Sequence, residues 1–366
     1  MNPKSSNKIK WFGDIYSKSD FLAFLKKEKQ RNLEEWELEI LNFSFEWLDE
    51  KNKFFLVATS GSTGKPKSIS ISRYEMINSA LATADYLKLK EGQSSLLILP
   101  AQFIAGKMMI VRALILGLDF YYLEPKTDIL LQIDRKYDFC AAIPLQIQKV
   151  LNSNVPEKLD LFTEVIIGGA ALANEDIVKL KDFSTHFYAT YGMTETITHI
   201  AMKPLNGSRA SKSYQCLPGI SIDQDDRDCL RIYSQRLPQE ITMTNDRVEL
   251  INEKEFLLLG RVDAVINSGG LKIQAEQLEE LIKENLNLEI MIGYREDKTL
   301  GQKLVLLLEG QAEEFDKQEL QEKLTKILAK NKVPKEILFI PKLFKTPNQK
   351  LNRTQNQTWI SNKGMI

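Results

Sequence analysis

Short apolar strands alternate with helical patterns between residues 73 and 189, and this alternation restricts the fold more than any other feature of the chain. Apolar residues recur at helical spacing in 73–88 and 103–116. Short apolar runs that predict buried strands lie at 96–99, 120–123, 139–143, 165–167 and 186–189. Strands that alternate with helices indicate a parallel sheet in an α/β fold.

The pattern changes in the second half of the chain. From 217 to 259 helical periodicity fades and short β-like pieces dominate, which predicts a small antiparallel subdomain. After Gly260 the predicted elements are a strand at 264–266, a helix at 275–284, strands at 289–294 and 303–308, and an amphipathic helix at 315–329. In the first of these helices, Leu278, Leu281 and Ile282 are expected to face inward. This α+β unit is large enough to fold as a small domain of its own.

Length, charge and cysteine content limit the classes of partner. A chain of 366 residues is expected to form about two domains. The 49 Lys and Arg residues balance 49 Asp and Glu residues, so no broad basic surface is expected, which argues against nucleic acid as the main partner. Cys140, Cys216 and Cys229 lack the CxxC spacing of a zinc site and predict no disulfide framework. A cytoplasmic location fits this cysteine usage.

Neither a membrane span nor a signal peptide is predicted. The most hydrophobic stretch, 96–118, is interrupted by Lys107 and Arg112, and charged side chains at a bilayer centre are costly. We therefore expect a buried strand followed by a helix. Residues 1–10 are polar and carry lysines without an apolar centre, which is not the composition of a signal peptide.

A loop rich in glycine, hydroxyl groups and lysine is the strongest sign of a ligand. It lies between the strand-like runs 54–58 and 68–72, and its candidate ligand contacts are Thr59, Ser60, Gly61, Ser62, Thr63, Gly64, Lys65 and Lys67. Inward backbone N–H groups, hydroxyl donors and lysine charge together suit a polyphosphate. A Walker-type loop is ruled out by Thr59 and Pro66, which occupy positions that need glycine and Ser or Thr. A polar, flexible hairpin is the simpler alternative.

Two more motifs follow predicted strands. The run 191–196 reads Tyr-Gly-Met-Thr-Glu-Thr, in which Gly192 permits a tight turn, Glu195 offers a hard oxygen ligand for magnesium and Tyr191 offers a flat face for a nucleobase. The Gly-Gly-Ala turn at 168–170 continues the strand at 165–167, where ligands of parallel sheets tend to bind. Taken singly, each motif is also compatible with a capped turn at the surface.

Together, in this order and spacing, the motifs resemble the acyl-adenylate-forming superfamily of acyl- and aryl-CoA ligases, luciferases and peptide-synthetase adenylation domains. The resemblance covers 54–353, and the runs 104–109, 167–172 and 191–196 resemble the subgroup of o-succinylbenzoate–CoA ligases of menaquinone biosynthesis. It implies an acetyl-CoA synthetase-like α/β fold. A large N-terminal domain, 1–262, would contain mixed and parallel sheets with packed helices and a small β subdomain, and a small mobile α+β domain, 263–366, would follow.

The resemblance also implies roles for single residues in binding the nucleotide. The loop 59–67 would hold the β- and γ-phosphates of ATP. The adenine cradle is expected to consist of Gly168, Gly169, Ala170 and Tyr191, continued by Gly192 and Met193. Thr194 would contact the α-phosphate, Glu195 would bind magnesium, Asp246 would bind the ribose hydroxyls and Arg261 would also reach the nucleotide.

Further implied roles lie in the predicted small domain. Asp263 is expected to be the hinge, Gly270 and Lys272 to face the thiol-accepting reaction, and Lys350 to stabilise adenylation. The chain departs from the family pattern in three places. Asn245 and Gln349 replace glycines, and residues 100–103 read Pro-Ala-Gln-Phe where an aromatic–histidine pair is usual.

The implied activity is that of a two-step ligase that uses ATP, Mg²⁺ and coenzyme A, with 2-succinylbenzoate as the expected acid. Another aryl- or fatty-acyl-CoA ligase and a nucleotide-binding protein without catalysis are the alternatives. The candidate cations for a second substrate carboxylate are Lys107, Arg112 and Arg209, and His199 is a candidate for the acyl pocket. The expected partners are these small molecules, with a homodimer left open.

Overall fold

The computed structural model of the protein describes residues 8–58, 68–345 and 351–363. The predictions for the loop 59–67 and for Lys350 therefore lie outside the described residues. The side chains of Ala58, Ser68, Thr194, Asp263 and Lys272 also lie outside the described part, so the roles predicted for the last three stay predictions.

The described residues contain twenty strands. In chain order they are β1 (Ile9–Trp11), β2 (Asp14–Tyr16), β3 (Phe54–Ala58), β4 (Ser68–Ser72), β5 (Ser94–Leu97), β6 (Asp119–Tyr122), β7 (Tyr137–Ala142), β8 (Phe162–Ile167), β9 (His186–Gly192), β10 (His199–Pro204), β11 (Tyr214–Cys216), β12 (Ser221–Gln224), β13 (Cys229–Tyr233), β14 (Ile241–Asn252), β15 (Glu255–Arg261), β16 (Val265–Ser268), β17 (Leu271–Gln274), β18 (Ile290–Asp297), β19 (Gly301–Glu309) and β20 (Glu336–Ile340).

Nine α-helices lie in the same described ranges. They are α1 (Lys18–Glu28), α2 (Glu35–Leu48), α3 (Arg73–Leu87), α4 (Ile104–Leu116), α5 (Pro144–Leu151), α6 (Asn174–Leu180), α7 (Ala275–Leu286), α8 (Lys317–Ile327) and α9 (Arg353–Asn362). None of the helices in the described part is both long and apolar enough to cross a membrane.

Thirteen of the strands form one sheet, in the order β12-β13-β14-β15-β11-β10-β9-β8-β7-β5-β6-β1-β2. Neighbouring strands from β9 to β1 are parallel, which confirms the predicted α/β fold. The antiparallel strands predicted after residue 217 are also present. They extend the main sheet, because β15 pairs with β11, β11 with β10 and β10 with β9.

Both faces of the parallel part of the sheet are covered. Within β7, Phe139 and Ala141 belong to one hydrophobic cluster, and Cys140 and Ala142 belong to another. Because successive side chains of a strand point to opposite faces, these two clusters lie on opposite sides of the sheet. A parallel sheet buried on both faces explains why its strands read as continuous apolar runs.

A separate five-stranded sheet follows Arg261. Its order is β17-β16-β19-β18, and β20 pairs in parallel with β19. It has its own buried cluster, in which Leu278 and Ile282 of α7 are 4% and 0% exposed. The prediction that Leu281 faces inward is wrong, since its side chain is 37% exposed. Positions 278 and 282 share one helix face at a spacing of four, whereas 281 lies on its flank.

The two strands that flank the glycine-rich loop form a hairpin. β3 and β4 pair antiparallel from Phe54↔Ser72 to Ala58↔Ser68, as their alternating and apolar patterns predict. Ser72 then caps α3, because its hydroxyl accepts from the Glu75 N–H and the Glu75 carboxylate accepts from the Ser72 N–H. The residues on either side of 59–67, Ala58 and Ser68, are therefore paired with each other.

Candidate functional site

Two predicted motifs meet at one edge of the large sheet. The turn Gly168–Gly169–Ala170 follows β8, and Gly192 ends β9. β8 and β9 are parallel neighbours, so their carboxyl ends lie side by side. Gly169 and Ala170 are exposed. The sheet thus places both motifs where ligands of α/β proteins bind.

The glycine at 168 is required by a close contact with the next strand. A Cβ atom there would lie 2.7 Å from Oγ1 of Thr190 on β9. Thr190 itself lies 3.1 Å from the Ile167 carbonyl oxygen, to which its hydroxyl donates. Glycine at 168 therefore lets the turn after β8 pack closely against β9.

Gly192 is required for a different reason from the one predicted. Its φ angle is not among the positive ones, so a special turn conformation is not what demands glycine. A Cβ atom at this position would lie 2.3 Å from the Thr198 carbonyl oxygen and 2.5 Å from the His199 Cα. The glycine therefore allows β10 to approach β9 closely, which brings His199 against the motif.

Glu195 is an exposed residue in the short 3-10 helix Thr194–Thr196, which follows β9. The Met193 N–H donates to Oγ1 of Thr196 at 2.9 Å, which closes this turn. No group of three or more His, Cys, Asp or Glu residues within the described ranges is arranged to hold a metal ion. A single carboxylate suits Mg²⁺, which proteins commonly hold through one or two carboxylates together with substrate phosphates.

Asp246 and Arg261 meet across two antiparallel strands. They are direct partners in the register of β14 and β15, and Nη1 of Arg261 lies 3.2 Å from Oδ1 of Asp246. The Tyr191 hydroxyl donates to Oδ2 of the same carboxylate at 2.6 Å. Asp246 is only 8% exposed, so both contacts fix its orientation. Three residues that were predicted separately are thus brought together.

The ring of Tyr191 is buried. It is 7% exposed and packs against Phe256 and Tyr214, with ring centroids 5.2 Å and 5.8 Å away. Burial, followed by the charge of Asp246, raises the pKa of the Tyr191 phenol above its ordinary value. The predicted contact of this ring with a nucleobase stays a prediction, and the ring is 7% exposed in this arrangement. Hydrophobic packing holds the ring in the core, where its hydroxyl orients Asp246.

A buried cation lies behind the motif. Arg112 of α4 is 2% exposed, and its Nε has no hydrogen-bond partner in the described part of the chain. Its nearest polar contact is Sδ of Met109, 3.9 Å from Nη1. Burial lowers the pKa of Arg112 to about 10. A buried guanidinium is costly unless a negative group pairs with it, so an anionic ligand is a candidate partner for Arg112.

His199 connects this cation to the motif. The half-buried imidazole places Nε2 3.2 Å from Oγ1 of Thr83 on α3. Burial, with the Arg112 charge second, lowers the pKa of His199 well below 6.5. The imidazole is therefore neutral at pH 7. The sequence had marked His199 and Arg112, but Thr83 reads only as one position of a helix, and nothing in the pattern connects it to residue 199.

His199→Gln is expected to reduce the acid sensitivity of folding. Below pH 6.5 the unfolded chain protonates His199 and the folded chain does not, so native stability falls as the pH falls. The loss is at most about 1.4 kcal/mol per pH unit. Urea unfolding at pH 7 and pH 5.5 should show a smaller difference in the variant. His186→Gln, at the exposed histidine 3.1 Å from Glu164, is the matched control. Equal pH dependence of wild type and His199→Gln would contradict the assignment.

The other two candidate cations have partners. Nζ of Lys107 lies 4.6 Å from the ring centre of Phe43. Nη2 of Arg209 donates to the Tyr188 hydroxyl at 2.6 Å. Of the three cations marked in the sequence, Arg209 thus has an oxygen acceptor among the described residues, whereas Arg112 is the one that is fully buried.

The remaining predicted residues lie with the smaller sheet. Gly269 and Gly270 form the turn between β16 and β17. Nearby, Arg353 at the start of α9 pairs with Glu279 of α7, which is 6% exposed. The Glu279 carboxylate also accepts from the Ile292 N–H at 2.7 Å. Sequence reasoning missed this pair, although a glutamate at a helix position that the apolar pattern assigns to the core is the signal that marks it.

Comparison with known proteins agrees with this geometry. The family described as AMP-binding enzyme matches residues 10–228. A 2-succinylbenzoate–CoA ligase of Haemophilus influenzae is 24% identical over 343 residues, which cover 87% of this chain and 74% of that protein.

Two solved structures are similar over most of the chain. An acyl-CoA synthetase (AMP-forming)/AMP-acid ligase II-like protein of Dyadobacter fermentans is 32% identical, with a TM-score of 0.63 over 93% of this chain and 98% of that chain. The o-succinylbenzoate coenzyme A synthetase of Bacillus subtilis in complex with ATP and magnesium is 23% identical, with a TM-score of 0.68 over 82% of this chain and 68% of that chain. These likenesses confirm the predicted fold class.

Proposed function

We propose, from the premise that this chain belongs to the family of AMP-binding enzymes, that it is an AMP-forming acid–thiol ligase acting on 2-succinylbenzoate. The observation that carries the proposal is the Tyr191–Asp246–Arg261 network beside the carboxyl ends of β8 and β9. A buried, oriented carboxylate suits the two hydroxyls of a ribose, and the adjacent guanidinium suits a phosphate or ring oxygen. The exposed turn at Gly169 and Ala170 would supply the surface for a base.

The first step would join the acid to AMP. A substrate carboxylate oxygen attacks the α-phosphorus of ATP, and the bond to the β-phosphate oxygen breaks, which releases pyrophosphate. The carboxylate and the triphosphate repel each other, so cationic groups must offset the charge. We assign this task to the lysines and other donors of the loop 59–67 and to Lys350, with the Thr194 hydroxyl contacting the α-phosphate. Mg²⁺ held by Glu195 would supply further positive charge at the phosphates.

The second step would transfer the acyl group. The thiol of coenzyme A attacks the acyl carbonyl, the bond to the AMP phosphate oxygen breaks, and AMP leaves. We propose a division at Asp263 into domains 1–262 and 263–366, with the smaller domain turning between steps. Gly270 and Lys272 would then face the thiol, whereas Lys350 serves the first step only.

The choice of acid rests on charge. 2-Succinylbenzoate carries two carboxylates, of which one reacts and the other enters the acyl pocket still ionised. The buried guanidinium of Arg112, beside His199, would be the partner for that second charge, since its Nε has no hydrogen bond within the described ranges. The Haemophilus relative named for this substrate supports the same assignment. The reaction would place the protein in menaquinone biosynthesis.

The test is incubation of the purified protein with ATP, Mg²⁺, coenzyme A and 2-succinylbenzoate. Mass spectrometry should detect the CoA thioester, and a coupled assay should detect equal amounts of pyrophosphate. If neither product forms, a panel of aryl and fatty acids distinguishes another ligase of this family from a protein that only binds nucleotide. Pyrophosphate release with none of these acids would favour binding alone.

A further inference from the structure

A cavity of about 470 Å³ opens at the far end of the parallel sheet from the candidate functional site. It lies where β1 and β6 end, and α1 and α2 form its other walls. The residues that define its character are Trp11, Trp36, Tyr122, Glu28, Glu37 and Glu124. We call it the aromatic cavity.

Position in the sheet separates the aromatic cavity from the candidate functional site. β5 and β7 lie between β6 and β8 in the strand order. Three strand spacings correspond to about 14 Å. Both sites lie beyond the carboxyl ends of parallel strands, which is the edge where α/β sheets bind ligands. The aromatic cavity is therefore a second site at this edge.

Aromatic rings surround Tyr122 on three sides. The ring of Phe12 lies 4.8 Å from the Tyr122 ring, that of Trp11 lies 5.7 Å away and that of Trp36 lies 5.9 Å away, all in edge-to-face arrangements. Each of the three rings thus meets the Tyr122 ring edge to face rather than in a stack. The π faces of aromatic rings carry partial negative charge and attract cations.

The ionised groups that line the aromatic cavity are mostly acidic. Three carboxylates, those of Glu28, Glu37 and Glu124, line it with the guanidinium of Arg31, and Nζ of Lys126 lies 2.6 Å from Oε2 of Glu124. Nη1 of Arg31 lies 2.5 Å from Oε2 of Glu28, and the Arg31 side chain is 66% exposed. Burial, together with the charges of Glu37 and Glu28, raises the pKa of Tyr122 to about 12. Two of the three carboxylates thus have a cationic partner, and the carboxylates outnumber these cations by one.

We propose that the aromatic cavity binds a small organic cation of the quaternary ammonium class. The methyl groups of such a cation bury apolar surface against the rings, and its charge interacts with both the π faces and the carboxylates. An anion would be repelled by the net negative charge of these groups, and a neutral apolar molecule would gain nothing from it. Arg31 shows that a cationic group is already accepted beside Glu28. This inference is independent of the proposed ligase activity.

Choline and its neutral isostere 3,3-dimethyl-1-butanol provide the first test. Two of the chain's four tryptophans line the aromatic cavity, so intrinsic fluorescence reports occupancy, and calorimetry gives the affinity. We expect choline to bind roughly tenfold more tightly than the isostere. Equal affinity for the two, or no binding of choline up to 50 mM (on the order of the weakest affinities expected for one cage), would overturn the proposal.

Two variants with opposite expected signs provide the second test. Glu28→Gln removes a negative charge and should weaken choline binding roughly threefold to tenfold. Arg31→Gln removes the competing guanidinium and should tighten it. Arg31 is largely exposed, so this variant is expected to fold even if Glu28→Gln does not, and circular dichroism checks both. Weaker binding by Arg31→Gln would overturn the proposal, because it would mean that the aromatic cavity prefers an anion or an uncharged group.

Discussion

Replacing Lys350 with alanine is expected to slow formation of the acyl-adenylate by roughly 10²- to 10³-fold, the effect of losing one preorganised charge-stabilising group. Negative charge accumulates when a carboxylate attacks a triphosphate, and the assigned lysine would offset it at the reacting centre. Pyrophosphate release from ATP, Mg²⁺ and 2-succinylbenzoate measures this step without coenzyme A. Far-UV circular dichroism should be unchanged.

The second half-reaction separates this role from a general one. Lys350→Ala should form thioester from supplied acyl-adenylate and coenzyme A at nearly the wild-type rate. Lys345→Ala is the matched control, since Lys345 is a neighbouring lysine whose Nζ lies 3.3 Å from Glu289. Equal losses in both half-reactions, or a comparable loss in the control, would contradict the assignment.

The described flanks make this test specific. Lys345 and Leu351 form an antiparallel bridge, and the Asn352 N–H donates to the Phe344 carbonyl at 2.8 Å. Arg353 is anchored by the buried carboxylate of Glu279. The chain is therefore fixed on both sides of 346–350, so an alanine at position 350 should not unfold the smaller sheet.

The parallel strands could be predicted because they are buried on both faces. Their positions are nevertheless shifted by a few residues in places. The strand predicted at 96–99 is observed as β5, Ser94–Leu97. Ile98 and Leu99 are buried but lie beyond the paired residues. An apolar pattern reports burial, whereas strand limits depend on hydrogen bonding to neighbours, which the local pattern does not contain.

The candidate site shows the same division. Gly168 and Asp246 could be predicted as site residues because they lie in the sequence motifs on which the resemblance to the family is based. The burial of Tyr191 could not, since it depends on Phe256, which is far away in the chain and reaches the ring only through the order of β9, β10, β11 and β15. That Nε of Arg112 is buried without a hydrogen-bond partner in the described part of the chain likewise depends on how α4 packs, which the local sequence does not contain.

Arg112→Met is expected to stabilise the folded protein and to lower its ligase activity towards dicarboxylates. The lowered pKa of Arg112, about 10, reflects the cost of burying its charge. Methionine fills a similar space without charge, so the free energy of unfolding should rise by about 1–3 kcal/mol. Loss of a charge-assisted partner should lower kcat/KM for 2-succinylbenzoate roughly 10²-fold. Urea unfolding and pyrophosphate release measure the two effects.

Substrate analogues show whether the lost activity concerns the second carboxylate. 3-Benzoylpropanoate and 2-butanoylbenzoate each lack one of the two carboxylates of 2-succinylbenzoate. One of these analogues keeps the carboxylate that reacts. It has no second carboxylate for Arg112 to bind. Its kcat/KM should be similar in wild type and Arg112→Met. Arg209→Met, at the arginine that contacts Tyr188, should retain the preference for the dicarboxylate. An equal loss of kcat/KM for both kinds of acid would show that Arg112 acts on the shape of the site. A lower free energy of unfolding in Arg112→Met would show that the charge is already compensated in the folded chain.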